Sequence, residues 1–291
     1  MEIDAERLRA DIERTAEFGA IDGPGHGRAN LVGTEANKNA RDYLVERLEA
    51  AGLSVRVDAV GNIAGRWTPA SADPDAAPVA AGSHLDSVPE GGIFDGPLGV
   101  YAALEAVRAM QDDGIQPDRP IDVVSFTEEE GTRFALMLGS SVAVGHRDVQ
   151  AALTLEDDGE TAESALESIG FRGEGRLDAS EWDAWIELHV EQGKRLERAG
   201  LPVGVVTAIT GIRHAEATFD GAANHAGTTP MGDRADALAA ASEFVLDMES
   251  AANEIVATES ETAVGTVGKA SVSPNATNVV PGFVELGVDI R

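Results

Sequence analysis

The chain has 291 residues, 51 acidic against 22 basic, for a formal net charge of −29. A field of that sign repels phosphate backbones and anionic lipid, which excludes nucleic-acid binding through a basic face, and no apolar run approaches the roughly eighteen residues of a membrane span. The absence of cysteine excludes disulfides, thiolate metal sites and cysteine nucleophiles, while 43% apolar and 25% charged residues suit a folded core.

Helical periodicity covers 4–18 and 34–51. In the second stretch Ala40, Tyr43, Leu44, Leu48 and Ala51 recur at spacings of three and four, and Gly52 closes it. Between them GPGHGRANLVG, 23–33, is a glycine-rich loop. Residues 53–60 alternate, Gly61-Asn62 signals a turn and 63–67 resume, which predicts a hairpin. TPASADPDAAP, 68–78, is a surface loop. Buried strands are predicted at 79–82, 121–126 and 184–188, and helices at 98–111, near 133–138 and at 162–168. This alternation predicts an α/β fold, a mixed sheet flanked by helices. After about Thr210 the order becomes strand 213–220, helix 234–252, strands 263–272 and 284–290, a small α+β unit. The expected domains are therefore 1–209 and 210–291.

Only three of the basic residues are lysine: Lys38, Lys194 and Lys269. The acids are dispersed, as on a solvated surface, and the Lys-poor composition resembles that of salt-loving proteins. In molar salt the Debye length falls to about 3 Å, which screens the self-repulsion. The N-terminus is charged and amphipathic rather than a signal peptide, so a soluble cytoplasmic protein is expected.

Four motifs carry chemistry. GSHLDSVPEGGIFDGPLGV, 82–100, places His84 just after a strand, Asp86 two residues on and Asp95 on a glycine-rich loop. Histidine and carboxylate at strand ends suit a divalent ion such as zinc. SFTEEEGTRF, 125–134, ends a buried strand in three glutamates, whose mutual repulsion a cation would relieve; a solvated acidic turn is the plain alternative. ELHVEQGKRLE, 187–197, puts His189 after a strand with Glu191 and Gln192 beside it. GAANHAGTTPMGDRADAL, 221–238, sets His225 in a loop where an imidazole could meet an oxyanion, or where Thr228, Thr229 and Asp233 simply cap a helix. In open α/β sheets ligands collect at the carboxyl ends of strands, and three such ends here carry His84, Glu129-Glu130 and His189. That set suits a metal-assisted hydrolase.

Taken together, FTEEEGTRF, HVEQG and NHAGTTPM resemble the metal-dependent amidohydrolases of the hydantoinase/carbamoylase family: N-carbamoyl-L-amino acid hydrolases, allantoate amidohydrolases and β-ureidopropionases, within the aminoacylase–carboxypeptidase superfamily. The likeness runs from about residue 15 to the end. It implies a zinc-exopeptidase-like catalytic domain with an inserted ferredoxin-like lid that dimerises the protein. It implies two divalent ions per full-length subunit, zinc or else manganese, cobalt or nickel, with Asp95 bridging, His84 and His189 on one ion and Glu130 on the other. Glu129 resembles the general base, and Asp86 the carboxylate that orients His84. His225 would polarise the scissile carbonyl in the partner's site, and Gln192, Asn278 and Arg291 would contact the substrate, Arg291 through its bidentate fork.

The family also carries a last histidine ligand near the C-terminal end of its catalytic domain. This chain ends at Arg291, inside the expected lid. The resemblance thus implies a C-terminally incomplete enzyme with an incomplete second metal site: a fragment, one piece of a split protein, or an inactive remnant that dimerises or binds. The leading expectation is hydrolysis of an N-carbamoyl or ureido acid; the alternative enzyme is an aminoacylase or aminopeptidase of the same superfamily.

Overall fold

The computed structural model describes residues 1–23 and 25–291. The glycine-rich loop expected at 23–33 includes Pro24, which lies outside the described residues. The chain divides into two compact units, Met1–Arg195 and Leu196–Arg291. The division falls ahead of the boundary at 209/210 expected from the sequence, and 200–212 form neither helix nor strand.

In chain order the first unit contains α1 (Ala5–Glu17), β1 (Gly27–Arg28), α2 (Glu35–Ala50), β2 (Ser54–Val57), β3 (Ile63–Trp67), β4 (Val79–His84), β5 (Gly91–Gly92), α3 (Pro97–Asp112) and β6 (Ile121–Phe126). These are followed by α4 (Leu138–Ala143), α5 (Val149–Leu153), β7 (Glu156–Asp157), β8 (Glu160–Thr161), α6 (Ala162–Ser168) and β9 (Ala184–Ile186). α7 (Arg195–Ala199) begins at the division. α2 starts where the Thr34 side chain accepts the Asn37 N–H, a cap contributing about 1 kcal/mol. Its buried Ala40, Leu44 and Leu48 lie on one face, as the periodicity requires.

The five-stranded sheet has the order β2-β3-β6-β4-β9. β4 runs parallel to both β6 and β9, while β2 and β3 form the antiparallel hairpin at the other edge. Alternate residues feed opposite cores. Ile63 and Val123 pack with Leu44, Leu48, Val100 and Leu104. Ala64, Ala80, Val124 and Phe126 pack with Ala143 and Leu177. Burial on both faces explains why four of the six residues of β6 are apolar, its buried Asp122 being paired with Arg66. β4 and β6 approach closely at Gly82, where an added Cβ would stand 1.8 Å from the Val124 carbonyl oxygen. Because the three parallel strands point the same way, the segments that follow them emerge on one side of the sheet.

One predicted helix is displaced. Residues 133–137 form a loop, and α4 begins only at Leu138. The Glu128 carboxylate accepts the N–H groups of Arg133 and Phe134, and Met137 adopts left-handed backbone, so the helix cannot start earlier.

The second unit contains β10 (Arg213–Asp220), β11 (Asn224–His225), α8 (Ala237–Thr258), β12 (Gly265–Ser273), β13 (Val279–Val280) and β14 (Phe283–Ile290). β14 is the central strand of an antiparallel sheet ordered β10-β14-β12. Ala237 and Ala241 of α8 pack on Val284 and Leu286, with Phe219 and Phe244 paired at 5.6 Å. α8 starts three residues later than predicted because Asp236 is its cap, accepting from Leu238 and Ala239. No helix among the described residues is long and apolar enough to cross a membrane.

Candidate metal centre

Three segments of the first unit converge at the carboxyl ends of the parallel strands. β4 ends on His84, which pairs in register with Phe126 of β6 and so lies beside the glutamates after it. The loop after β4 returns to place Asp95 just before α3. The segment after β9 carries His189. Ligand atoms of His84, Asp95 and His189 all lie within 4.8 Å of one another. Glu129, Glu130 and Gln192 line the same cavity of about 700 Å³, whose other wall includes Trp182 and Trp185.

The ring nitrogens are assigned by their partners. Nδ1 of His84 is 3.0 Å from the Asp86 carbonyl oxygen, and Nδ1 of His189 is 3.0 Å from that of Val190. Both Nδ1 atoms therefore donate to carbonyls, which leaves each Nε2 as a potential ligand, the arrangement typical of metal-binding histidines. Nε2 of His189 lies 3.2 Å from Asp95 Oδ1. That contact raises the His189 pKa to about 9 and lowers that of Asp95. A proton thus occupies the place between two groups that a cation could hold instead.

The acids fit a cation too. Among the described residues, Asp86 Oδ1 and Glu128 Oε2 are buried without a hydrogen-bond partner, an uncommon state for carboxylate oxygens. Burial lifts Glu129 to about 7, and burial and the charge of Asp95 raise Glu130. Two imidazoles whose Nδ1 atoms are taken up by carbonyls, a half-buried aspartate and adjacent glutamates are an N/O donor set suited to zinc and its neighbours.

One feature differs from the sequence expectation and another adds to it. Asp86 was expected to orient His84 through its carboxylate. Its backbone oxygen does so instead, while the carboxylate stands 3.8 Å from Nδ1 and accepts the Glu130 N–H at 3.0 Å. Gln192, expected to contact the substrate, lines the cavity and also donates to Asp95 Oδ2. Two residues were not anticipated. Ser140 clamps Glu129, its N–H reaching Oε1 at 2.8 Å and its hydroxyl Oε2 at 2.6 Å. Arg28 is fully buried beneath the His84–Asp95 loop. Neither has a sequence signal: Ser140 sits 11 residues beyond Glu129 in an unmarked helix turn, and Arg28 acts across 57–67 residues of chain.

The remaining candidates belong to the second unit. His225 lies on β11, paired with Val279, next to Asn278. Its Nδ1 accepts the Gly227 N–H, so the proton is on Nε2, on an exposed ring able to donate to an oxyanion. Asn278 is exposed, and its carbonyl accepts the Ala226 N–H. Arg291 is half-exposed, 3.1 Å from Asp289 and paired through its backbone with Val264.

A family model described as peptidase family M20/M25/M40 matches residues 80–289. The N-carbamoyl-L-amino acid amidohydrolase of Geobacillus stearothermophilus is 40% identical over 294 residues, covering 99% of this chain and 70% of its own length. The allantoate amidohydrolase of Bacillus subtilis (strain 168) is 36% identical, covering 96% and 67%. Among solved structures, a hydantoinase/carbamoylase family amidase from Burkholderia vietnamiensis is 41% identical, with a TM-score of 0.86 over 100% of this chain and 69% of that one. The chain thus spans about 70% of the length of these relatives.

Proposed function

The chain belongs to peptidase family M20/M25/M40, in its hydantoinase/carbamoylase branch, and from this premise we propose that it hydrolyses the C–N bond of an N-carbamoyl amino acid or a related ureido acid such as allantoate. The observation that carries the reading is the meeting of His84, Asp95 and His189 within 4.8 Å, in a cavity that also holds Glu129 and Glu130.

In the proposed mechanism His84, His189, Asp95 and Glu130 would hold divalent ions, two per full-length subunit, with zinc the first choice and manganese, cobalt or nickel accepted. When bound, these would supply Lewis-acid polarisation of the ureido carbonyl and lower the pKa of the attacking water. Glu129, fixed by Ser140, takes one proton from that water as its oxygen bonds to the ureido carbon. As the C–N bond breaks, the same carboxyl returns the proton to the leaving nitrogen. By the resemblance, the Nε2–H of His225 would donate to the developing oxyanion in the partner subunit's site. The resemblance assigns Asn278, the Arg291 fork and Gln192 to the substrate, the fork to its carboxylate, and Gln192 also steadies Asp95. We place the protein in the cytoplasm as a homodimer joined through its second unit, working in high salt.

The test is a substrate panel in high potassium chloride. Ammonia release from carbamoyl amino acids, allantoate or ureidopropionate supports the reading. Release of amino acids from dipeptides or acyl amino acids without ammonia replaces it with a peptidase or aminoacylase.

A further inference from the structure

Arg28 is 0% exposed, yet among the described residues its guanidinium is bonded to no carboxylate. All four of its hydrogen bonds go to backbone carbonyls of a single loop. Nη1 donates to Leu85 at 2.6 Å, Nη2 to Asp86 at 3.3 Å and to Asp95 at 3.0 Å, and Nε to Gly92 at 3.3 Å. The loop leaves β4 at His84 and returns at Asp95, so one planar group ties its entry to its exit. β1 reinforces the tie, pairing Arg28 with Gly91 and Gly27 with Gly92.

The contacts lead directly to the ligand atoms. The Asp86 carbonyl that receives Nη2 also receives Nδ1 of His84, so the group that orients the His84 ring is itself held by Arg28. The Asp95 carbonyl holds the backbone from which the Asp95 carboxylate projects. Gly96 completes the fit: its φ is +85°, and an added Cβ would stand 2.6 Å from the His84 ring. Burying a guanidinium without a bonded counter-ion is costly, so a purely space-filling role would favour an apolar residue. Nearby charges partly offset its burial, Asp86 and Asp95 of the same loop foremost, with Glu130 beyond it.

We propose that Arg28 is a positioning residue that presets His84 and Asp95 for the ion, acting through the carbonyls of Asp86 and Asp95. The inference rests on the metal-centre reading above. Lysine cannot reproduce the role, because a point ammonium cannot span four carbonyls as a planar fork does. Methionine keeps the apolar stem and donates nothing.

The experiment measures zinc affinity of the chelator-stripped protein by competition with a chromophoric chelator, alongside its melting temperature. Wild type is compared with Arg28→Lys, Arg28→Met and, as a control, Arg108→Lys, which disturbs the buried ion pair with Asp11. Zinc affinity is expected to fall roughly 10–100-fold in Arg28→Lys and further in Arg28→Met, the range known for groups that support metal ligands. Arg108→Lys should lower the melting temperature and leave zinc affinity unchanged. Wild-type affinity in Arg28→Lys, or an equal loss in Arg108→Lys, overturns the proposal. So does failure of both Arg28 variants to fold, which would make Arg28 a determinant of the fold. A wild-type protein that binds no zinc overturns the metal centre itself.

Discussion

Replacing Glu129 with glutamine separates the base from the metal-binding groups around it. The variant keeps the shape of the side chain. Ser140 N–H can still donate to Oε1, and the Ser140 hydroxyl can accept from the new amide where it formerly donated to Oε2. Metal content should therefore stay at the wild-type level. Turnover should fall by about 10²–10⁴, the usual contribution of a positioned base, which corresponds to roughly 3–5 kcal/mol of barrier. Stability should move the other way. Burial holds Glu129 at about 7 against a reference of 4.5, so ionising it in the folded, metal-free protein costs on the order of 3 kcal/mol. The amide avoids that cost, so stripped Glu129→Gln should melt above stripped wild type at pH 8. The assay is ammonia release together with metal analysis and thermal melts. Near-normal turnover, or a lower melting temperature than wild type with metal content lost, would refute the assignment of Glu129 as a desolvated base.

Three further outcomes are expected. His189→Ala removes an imidazole whose Nε2 faces Asp95, so zinc affinity should drop by more than the roughly 10–100-fold typical of losing a supporting group; retained affinity would remove His189 from the ligand set. His225→Ala should lower kcat by about 10²–10³ with metal content unchanged, as expected for loss of an oxyanion donor, and an effect on KM alone would argue against that role. In stripped protein, Glu129 is raised from 4.5 to about 7, so the folded state holds the extra proton and stability falls as pH rises through that range. His189 is raised from 6.5 to about 9, and its contribution, full below 6.5, is lost as pH rises through 9. Melting temperature should therefore fall from pH 5 to 9 without metal, and zinc should flatten the trend; a stripped protein that grows more stable over this range would contradict both shifts.

The sheet was legible because burial writes itself into the chain. The apolar run 121–126 became β6 with those bounds, and the alternation at 213–220 became β10. The elements that shifted were governed by side-chain hydrogen bonds that periodicity does not register. Glu128 delays α4 by capturing two N–H groups, and Asp236 fixes the start of α8. The ligand candidates His84 and His189 were legible from residue type after strands, and Asp95 from the glycine-rich loop motif and the resemblance, and the structure brings them together. How the site is held was less legible. Asp86 serves His84 through its carbonyl, which every residue possesses, so no side-chain pattern could announce it. Arg28 lies 57–67 residues before the carbonyls it holds, and a lone arginine in a glycine-rich loop looks like any surface charge until the chain folds over it.

The central claim is that a chelatable ion held by His84, Asp95 and His189 is required for ureido hydrolysis. The most direct measurement strips the protein with chelator, then follows ammonia release from a carbamoyl amino acid or allantoate as zinc, manganese, cobalt or nickel is titrated back. Activity should vanish on stripping and return in step with ion occupancy. Stripped protein that keeps its ammonia release, with metal analysis showing no residual ion, would contradict the claim.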